Sequence, residues 1–574
     1  MHHTTTRTRR ARVLATLLAA GLVAGACGGG DDTTENADGD ALITDTTLAS
    51  DTEEVTRGGT LVVGLEAEAN TFLPGDGSSN TNVSRAIFDS IAARGGDGEI
   101  HPFLAESIEA NDDLTEWTVT LREGIEFHDG TPLDAAAIKE NYDTYLTRET
   151  STLVGSLAQV LELRVDGPLT YTYVLAEGNA AFPDVLTGSI GYPFSNEACA
   201  AAGEECGSKP VGAGPFELVS WTRDSQIRLV RNENYWRTDE AGEPLPYLDE
   251  LIFRPIPDED SRLQSVLSGT IHVGQTLRQS IVRRAAEEAE TGEIQALPAI
   301  GNNGGGALFN VARPPVDDVR VRRGLVHAVN QGDLIDVLGG AGITPEQTQF
   351  FSPDSPWFSQ DVEDAWPVHD PAIAQGLLDE YINDPQRSDG KDVGEPIAVE
   401  FNCPPDPSLL EFSQTVQAFW GAVGVDTHLI QVEQPVHISN AIGTGDSNPP
   451  YVGSYMINCW RTGADQDPYT TLQPTFGDPA IEPLNFTNYT SDAIAEQMET
   501  LRTAAEFTER YAAVEEIMME LAEEVPLFWA GGTATSLYAV PEVRNLGGWT
   551  VPGGVQGDSV INSTIYWSEV WLEA

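Results

Sequence analysis

His128 and Asp129 are neighbouring side chains that could do chemistry. They stand in the segment 126–132, "EFHDGTP". An imidazole beside a carboxylate occurs in general-base pairs and in metal sites, but Asp followed by Gly is also a common turn. The context favours the turn, because His128 ends an alternating strand, Asp129-Gly130 reverses the chain and the next residues lead into a helix. We predict a structural role for His128.

Other segments that could hold a phosphate, a metal or a nucleophile lack the partners that such sites need. The stretch 301–306, "GNNGGG", has neither the Lys nor the following helix of a phosphate loop, so we interpret it as a flexible loop. The stretch 257–260, "PDED", is typical of a helix start. No nucleophile elbow, zinc-protease motif or Cys-x-x-Cys pair occurs, and the nine histidines are scattered. We therefore predict no catalytic, metal or cofactor residue.

Hydrophobic periodicity predicts mixed α and β structure in the first half of the chain. The run 60–68 is typical of a buried strand, and 161–175 of two strands joined at Asp166-Gly167. Apolar residues alternate at Trp117, Val119 and Leu121. A helix is predicted after the N-cap candidate Asp134, with one face formed by Ile138, Tyr142, Tyr145 and Leu146.

The second half has a more regular order of elements. Strands are predicted over 395–403, 425–432 and 451–460, and a helix over 407–424 lies between the first two. Strand, helix and strand in this order indicate a parallel sheet with right-handed crossovers. The inward face of that helix is predicted at Leu409, Phe412, Val416 and Phe419. A second amphipathic helix, 508–526, is predicted to pack through Tyr511, Val514, Met518 and Leu521 and to stop at Pro526.

The N-terminal residues have the features of an export signal. Four arginines precede the apolar run 13–26, which is too short to span a bilayer as a mature helix. Ala24-Gly25-Ala26-Cys27 resembles a bacterial lipobox, so we predict a lipoprotein signal peptide over 1–26 and acylation of Cys27. Residues 27–56 are rich in Thr, Gly and acids and contain no Lys or Arg, which predicts a disordered acidic tether.

Charge and cysteine content narrow the function classes. The chain has 89 acidic and 31 basic residues, a formal charge of −58, which argues against nucleic acid and anionic lipid as partners. Besides Cys27, four cysteines allow three pairings in an oxidising exported setting. Cys199 and Cys206 lie in one short loop, while Cys403 and Cys459 each end an apolar run. We favour the pairs Cys199–Cys206 and Cys403–Cys459.

Several separated segments together resemble one known family. They are 58–75, 116–143, 210–236, 247–269, 308–330 and 523–529, and their order and spacing also fit. They are similar to the family 5 extracellular solute-binding proteins, the peptide, nickel and opine receptors of ABC importers. The resemblance covers essentially all of 57–574. In that family the "FHDGTP" segment is a strand end and turn that does no chemistry.

The resemblance implies a large two-lobed α/β fold of the periplasmic-binding-protein type (cluster C), with mixed and parallel sheets. Lobe I is expected over 57–308, with 536–574 returning to it, and lobe II over 309–535. The chain is expected to cross between the lobes near 307–310 and near 527–532. Two crossing segments make a hinge, and a ligand between the lobes would be held by a few polar groups and aromatic walls.

Family analogy also implies the ligand-binding residues. Asp465 corresponds to the aspartate that grips a peptide's α-ammonium, and Trp460 and Arg461 lie just before it. Asn70, Thr71 and Phe72, after the first strand, are expected beside the ligand. In dipeptide-binding relatives an arginine follows the strand that reads "VEFNC" here, but this chain continues "PPDPSLLEF". Longer oligopeptides, whose C-terminus need not be held so tightly, or a non-peptide such as an oligosaccharide, are therefore open alternatives.

The predicted function is a lipid-anchored receptor on the outer face of the cytoplasmic membrane. It would bind a solute, most simply a peptide, and deliver it to ABC permease subunits with cytoplasmic ATPases. We expect a monomer that needs no cofactor. An oligosaccharide or nickel-chelate ligand, a sensor role, and a secreted enzyme with dispersed catalytic residues are the alternatives.

Overall fold

The computed structural model covers most of the chain after the N-terminal region. It describes residues 55–75, 80–148, 153, 157, 159–353, 355–405, 407–432, 436–437, 440–441, 453–463, 467–480, 482, 484–558 and 565–573. Of residues 300–303, 407, 408, 461–463 and 533 it describes the backbone. The predicted signal peptide, Cys27 and most of the predicted tether lie outside the described residues, as does Asp465.

The first part of the chain, up to residue 290, forms a series of short strands and helices. Its strands are β1 (Thr60–Leu65), β2 (Ala92–Arg94), β3 (Ile100–Pro102), β4 (Ala105–Ala110), β5 (Glu116–Leu121), β6 (Val160–Val165), β7 (Thr170–Leu175), β8 (Phe216–Thr222), β9 (Gln226–Arg231), β10 (Glu250–Pro255) and β11 (Val273–Thr276). Its helices are α1 (Thr81–Ile87), α2 (Ala135–Thr147), α3 (Asn196–Ala202), α4 (Glu259–Leu267) and α5 (Gln279–Glu290). Short 3₁₀ segments occur at Phe182–Thr187, Ser189–Gly191 and Gly203–Ser208.

The remainder of the chain starts and ends with strands, and helices predominate between them. In order it contains β12 (Gln295–Phe309), α6 (Val319–Ala328), α7 (Gln331–Val337), α8 (Gln360–Ala365), α9 (Pro371–Ile382), β13 (Ala398–Cys403), α10 (Pro407–Ala422), β14 (Asp426–Gln431), β15 (Ile457–Gly463), α11 (Pro468–Phe476), α12 (Asp492–Thr503) and α13 (Phe507–Glu524). The last elements are β16 (Leu527–Ala539), β17 (Val543–Arg544), β18 (Thr550–Val551), β19 (Val555–Gln556), a 3₁₀ turn at Trp567–Glu569 and β20 (Trp571–Leu572).

The local patterns of the sequence account for many of these elements. In β5 the alternating Trp117, Val119 and Leu121 are buried, as predicted. Helix α2 begins after Asp134, whose side chain accepts a hydrogen bond from the Ala137 amide, so the predicted N-cap is confirmed. In α10 and α13 the predicted inward faces are buried or partly buried, but the largest buried side chain of α10 is Trp420, which the sequence analysis did not include.

Two large clusters of buried apolar side chains organise the described residues. One draws its members from 61–273 and 537–570, and the other from 307–530. We call the parts of the chain around them lobe I and lobe II. The C-terminal residues therefore return to the core of lobe I, where Trp567 is fully buried against Phe253. Burial of apolar area in two separate clusters stabilises each lobe on its own.

A single ten-stranded sheet runs through both lobes. Its order is β14-β13-β15-β12-β16-β11-β1-β10-β9-β8. In lobe I, β1 is parallel to β10 and β11, and in lobe II, β13 is parallel to β14 and β15. The parallel pairing predicted for the strands of lobe II is thus confirmed. A separate four-stranded antiparallel sheet, β4-β5-β7-β6, adds to lobe I.

The two lobes are joined by two long strands that pair with each other. Strand β12 has 15 residues and β16 has 13, and they run antiparallel from Gln295↔Ala539 to Leu308↔Leu527. One end of this ribbon pairs with β11 of lobe I and the other with β15 of lobe II. The crossing points predicted near 307–310 and 527–532 lie at the lobe II end of the ribbon.

The glycine-rich stretch 301–306 is part of β12, so the prediction of a flexible loop is wrong. The register between β12 and β16 shifts twice within it, between Gly301 and Gly304 and between Gly305 and Gly306. A Cβ on Gly306 would lie 2.0 Å from the Phe528 carbonyl oxygen. Glycine is needed here because another backbone approaches closely, which the sequence pattern cannot distinguish from loop flexibility.

Both favoured disulfides are present. Cys199 and Cys206 join α3 to the following 3₁₀ segment in lobe I. Cys403 and Cys459 join the end of β13 to the middle of β15 in lobe II. Both sulfurs of the second pair belong to buried residues. This covalent link holds β15 against β13 directly before the residues that family analogy places near a ligand.

Candidate functional site

The strands of the two lobes run toward each other. Strands β11 and β12 are both antiparallel to β16, so β12 has the same direction as β1, β10 and β11. Strand β15 is antiparallel to β12, and β13 and β14 are parallel to β15. The carboxyl ends of the parallel strands of lobe I therefore face the carboxyl ends of those of lobe II. Ligands of open α/β sheets bind outside these ends.

The crossing strands show how closely the opposed ends meet. The last residue of β11, Thr276, pairs with Ser536, and the last residue of β15, Gly463, pairs with Asn303 of β12. Along the ribbon, the neighbouring Gly304 pairs with Gly532, only four positions from Ser536. At about 3.4 Å per residue, these four positions separate the two sets of strand ends by roughly 14 Å along the ribbon. We call this region the cleft.

On the lobe I side, the segment after β1 leads into the cleft, but its three predicted residues differ in exposure. Asn70 is exposed, Thr71 is half-buried and Phe72 is fully buried. The Phe72 ring packs 4.4 Å from the Trp221 ring, and its amide donates to the Gly207 carbonyl at 2.8 Å. Phe72 therefore supports the segment from within the core, and its ring offers no surface to a ligand.

On the lobe II side, the structure describes part of the predicted set. Trp460 is half-buried, and its ring lies 5.9 Å from the His437 ring in a stacked geometry and 4.6 Å from Phe486. The backbone of Arg461 pairs with Gly305 of β12, while its side chain lies outside the description. Asp465 falls in the undescribed residues 464–466. Trp460 is thus an aromatic side chain that the structure places just before the connection from β15 to α11.

The connection that carries Asp465 is fixed at both ends. It leaves β15 at Gly463 and reaches Asp467, which is the N-cap of α11 and accepts from the Tyr469 amide at 2.8 Å. Asp467 is 6% exposed, and its two oxygens accept from Arg510 at 2.9 and 2.7 Å. Both bonds come from the same guanidinium nitrogen, Nη2, and removing one partner of a buried ion pair typically costs about 3–5 kcal/mol.

Asp467 and Arg510 are residues that the sequence analysis missed. The structure shows Asp467 buried and paired with Arg510, and neither residue is among the predicted site residues. The Asp467-Pro468 dipeptide is a recognisable helix start, with a capping side chain before Pro at the first helical position. Nothing in the sequence identifies its partner, because Arg510 lies on a later helix, α13.

The two lobes also touch through their rims, by which we mean residues 177–180 of lobe I and the end of α12 in lobe II. Arg502, near the end of α12, accepts from the Ala180 amide through its backbone carbonyl at 2.7 Å. Its guanidinium donates to the Gly178 carbonyl and lies 3.6 Å from the Glu177 carboxylate. The Trp117 indole holds the lobe I loop by donating to the Asn179 carbonyl at 3.1 Å. Arg502 therefore links the lobes through residues that are not part of the crossing strands.

The residues first considered for chemistry have structural roles. His128 Nε2 lies 3.0 Å from the Gly214 carbonyl oxygen, and burial lowers the pKa of His128 to about 4, so the ring is neutral at pH 7. Asp129 accepts from the Thr131 amide and hydroxyl and from Ser195. The predicted turn is confirmed. The predicted helix start at 257–260 is also confirmed, because Asp258 caps α4.

The described ranges contain neither a cluster of metal-binding side chains nor a helix suited to crossing a membrane. No group of three or more His, Cys, Asp or Glu side chains lies close enough together there to hold a metal ion. No helix in the same residues combines the length and the apolar character that a membrane crossing requires.

Comparison with known proteins identifies relatives by sequence. The model of the bacterial extracellular solute-binding proteins, family 5 middle region, matches residues 99–482. The glutathione-binding protein GsiB of Salmonella paratyphi A is 27% identical over 323 residues, which are 56% of this chain and 61% of that protein. The chain thus spans 61% of that relative's length. GsiB of Escherichia coli O1:K1 is 25% identical over 489 residues, 81% of this chain and 88% of that protein.

Solved structures share the fold at low identity. The ABC transporter substrate binding protein CtaP from Listeria monocytogenes has a TM-score of 0.72 and 19% identity, covering 90% of this chain and 100% of that chain. DppA from Helicobacter pylori, in complex with the peptide STSA, has a TM-score of 0.70 and 19% identity, covering 90% and 99%. AgaA from A. tumefaciens R10, in complex with agropinic acid, has a TM-score of 0.70 and 21% identity, with the same coverage. The predicted periplasmic-binding-protein-like fold is confirmed, and the matched proteins are binding proteins and not enzymes.

Proposed function

The chain belongs to the bacterial extracellular solute-binding proteins of family 5, and we propose that it captures peptides for an ABC importer. The observation that carries the proposal is the meeting of opposed strand ends from two lobes, joined by two crossing strands. Such an arrangement suits a ligand enclosed between rigid bodies that move about a hinge. The protein would bind and release the solute, and permease subunits with cytoplasmic ATPases would transport it.

Peptide is the proposed ligand class. DppA, a structural neighbour, is bound to the peptide STSA, and the sequence relatives are glutathione-binding proteins. In our proposal Asp465 pairs with the ligand's α-ammonium, Trp460 and Arg461 line the pocket, and Asn70 and Thr71 approach from lobe I. A cationic group entering a dry cleft needs a fixed anion, because an unpaired buried ammonium would cost several kcal/mol.

The lobe boundaries and the membrane anchor are part of the same proposal. We assign 57–308 and 536–574 to lobe I and 309–535 to lobe II, which agrees with the membership of the two large apolar clusters. Acylation of Cys27 after removal of 1–26 would place the receptor on the outer face of the cytoplasmic membrane as a monomer. The Thr- and acid-rich residues 27–56 would then separate the lobes from the lipid.

The first test identifies what the protein carries. Native mass spectrometry of the purified protein should show a ladder of bound peptide masses, since closed clefts release ligand slowly. A sugar mass or the mass of a metal chelate would contradict the peptide proposal and leave the receptor fold unaffected.

The second test concerns Asp465. Asp465→Asn should weaken binding of free-amine peptides by about 2–5 kcal/mol, the usual loss when one partner of a buried charge pair is removed. N-acetylated versions of the same peptides should be much less affected, because they carry no ammonium group. Asp361→Asn, at an exposed position on α8, is the matched control and should change neither affinity. Calorimetry that shows equal small losses for both peptide types would refute the assignment of Asp465.

A further inference from the structure

Two asparagines lie side by side in lobe II, and three of their buried amide atoms have no hydrogen-bond partner among the described residues. Asn402 on β13 and Asn458 on β15 are directly opposite in the parallel pairing of these strands. They are 7% and 1% exposed. Asn402 Oδ1 and both amide atoms of Asn458 make no hydrogen bond to any protein atom, as far as the described chain shows. Native proteins leave few buried polar atoms without a hydrogen-bond partner, because such an atom has lost its hydrogen bonds to water and gained none in return.

The pair lies on the same side of the sheet as Trp460. Asn458 and Trp460 are two residues apart on β15, so their side chains point to the same face. The Cys403–Cys459 disulfide fixes the two strands at this level. The pair therefore lies one side-chain row deeper in lobe II than the half-buried indole at the cleft. A side chain of a bound ligand would meet Trp460 first and the two asparagines beyond it.

His437 adds a third acceptor to this face. Its Nε2 lies 2.9 Å from the Cys459 carbonyl oxygen, which can only accept, so Nε2 carries the proton. Burial lowers the pKa of His437, which keeps the ring neutral at pH 7. Its Nδ1 therefore presents a lone pair, and this buried atom also lacks a partner in the described structure.

The balance of donors and acceptors defines the complementary group. Asn402 Oδ1, Asn458 Oδ1 and His437 Nδ1 can accept, and the Nδ2 groups of Asn402 and Asn458 can donate. A carboxylate has no proton to offer the three acceptors. An ammonium would be buried beside neutral groups, since no hydrogen bond or ion pair links a described charged side chain to these three residues. A carboxamide, with two N–H donors and one acceptor, matches the set.

We propose that Asn402 and Asn458 form a subsite, deeper than Trp460, that selects a carboxamide side chain of the ligand. The inference rests on the proposed function, because it refines which peptides the cleft accepts. Glutamine or asparagine at one position of a bound peptide is the group that the subsite takes. A hydroxyl would satisfy fewer of the same atoms and is expected to bind less well.

The test uses alanine tetrapeptides that carry Gln, Glu or Met at each position in turn, measured by calorimetry. Met has nearly the shape of Gln without its hydrogen-bonding groups. At one position the Gln peptide should bind roughly 10- to 100-fold more tightly than the Met and Glu peptides, because a site built for hydrogen bonding rejects analogues that leave it unpaired. Asn458→Leu should abolish this preference and improve binding of the Met peptide.

Stability measurements make the variants interpretable. Without peptide, Asn458→Leu should unfold at the same or a higher temperature than the wild type, since an apolar group replaces unmatched polar atoms of similar shape. Asn310→Leu is the matched control. Asn310 is also fully buried, but its Nδ2 donates to the carbonyls of Gly453 and Tyr455 at 3.1 and 3.0 Å, so its loss should lower the unfolding temperature.

The possible failures are distinguishable. If the peptides bind and Gln, Glu and Met are equivalent at every position, the subsite is refuted and the peptide receptor stands. If Asn458→Leu keeps the preference for Gln, water satisfies these asparagines and the subsite is likewise refuted. If no tetrapeptide binds, the proposed function fails and the subsite fails with it.

Discussion

Arg502 should control how long the lobes stay closed, because it joins the two lobes outside the crossing strands. Replacing Arg502 by Ala removes the hydrogen bond from its guanidinium to the Gly178 carbonyl and the approach of 3.6 Å to Glu177. A hydrogen bond from a charged donor is worth about 1.5–3 kcal/mol, whereas the ion pair adds little because Glu177 is 74% exposed. The bond from the Ala180 amide to the Arg502 carbonyl remains. We expect a net loss of about 1–2 kcal/mol in the closed form, a factor of roughly 5–30.

The assay is the dissociation rate of the peptides recovered with the purified protein, followed by stopped-flow fluorescence. Arg502→Ala should raise this rate by most of that factor and change the association rate less, because loss of a rim contact acts after encounter. Arg164→Ala is the control, since Arg164 pairs with Glu116 and Asp166 inside lobe I alone. Equal dissociation rates for the wild type and both variants would refute the link between the rims. A lower unfolding temperature in Arg502→Ala with unchanged dissociation would show that the contact stabilises the fold without controlling closure.

Three further predictions concern pH, the crossing strands and the anchor. The pKa of His128 is lowered to about 4 in the folded protein. The neutral ring therefore contributes fully to the free energy of unfolding above the pKa of the unfolded chain, and this contribution is lost as the pH falls. Between about pH 7.5 and pH 5 the free energy of unfolding should fall by about 2 kcal/mol. Urea unfolding of His128→Gln should show a correspondingly weaker pH dependence, and an unchanged dependence would contradict the buried neutral ring. Gly306→Ala should lower stability by about 1–3 kcal/mol, since its Cβ would meet the Phe528 carbonyl, whereas Gly305→Ala meets nothing within 4 Å and should be nearly neutral in thermal unfolding. Cys27→Ala should move the protein from the membrane to the soluble fraction, and retention in the membrane would count against acylation.

The sequence by itself determined the features that depend on neighbours along the chain. Alternation placed Trp117, Val119 and Leu121 in the core because successive strand residues point to opposite faces. The capping pattern located the start of α2 at Asp134. The turn chemistry around Asp129 was sufficient to assign His128 a structural role. Such signals lie within a few residues, where backbone geometry alone relates sequence to structure.

Only the tertiary structure decided which distant segments meet. The stretch 301–306 has the composition of a loop, but pairing with β16, more than two hundred residues later, makes it a strand. Asp467 becomes a buried ion-pair partner through Arg510, and Arg502 links the lobes through Gly178, 324 residues away in the chain. The pairing of Asn402 with Asn458 depends on the register between β13 and β15. Each of these contacts results from the packing of whole helices and strands. The sequence around one residue of such a contact has no pattern that identifies the distant residue it meets.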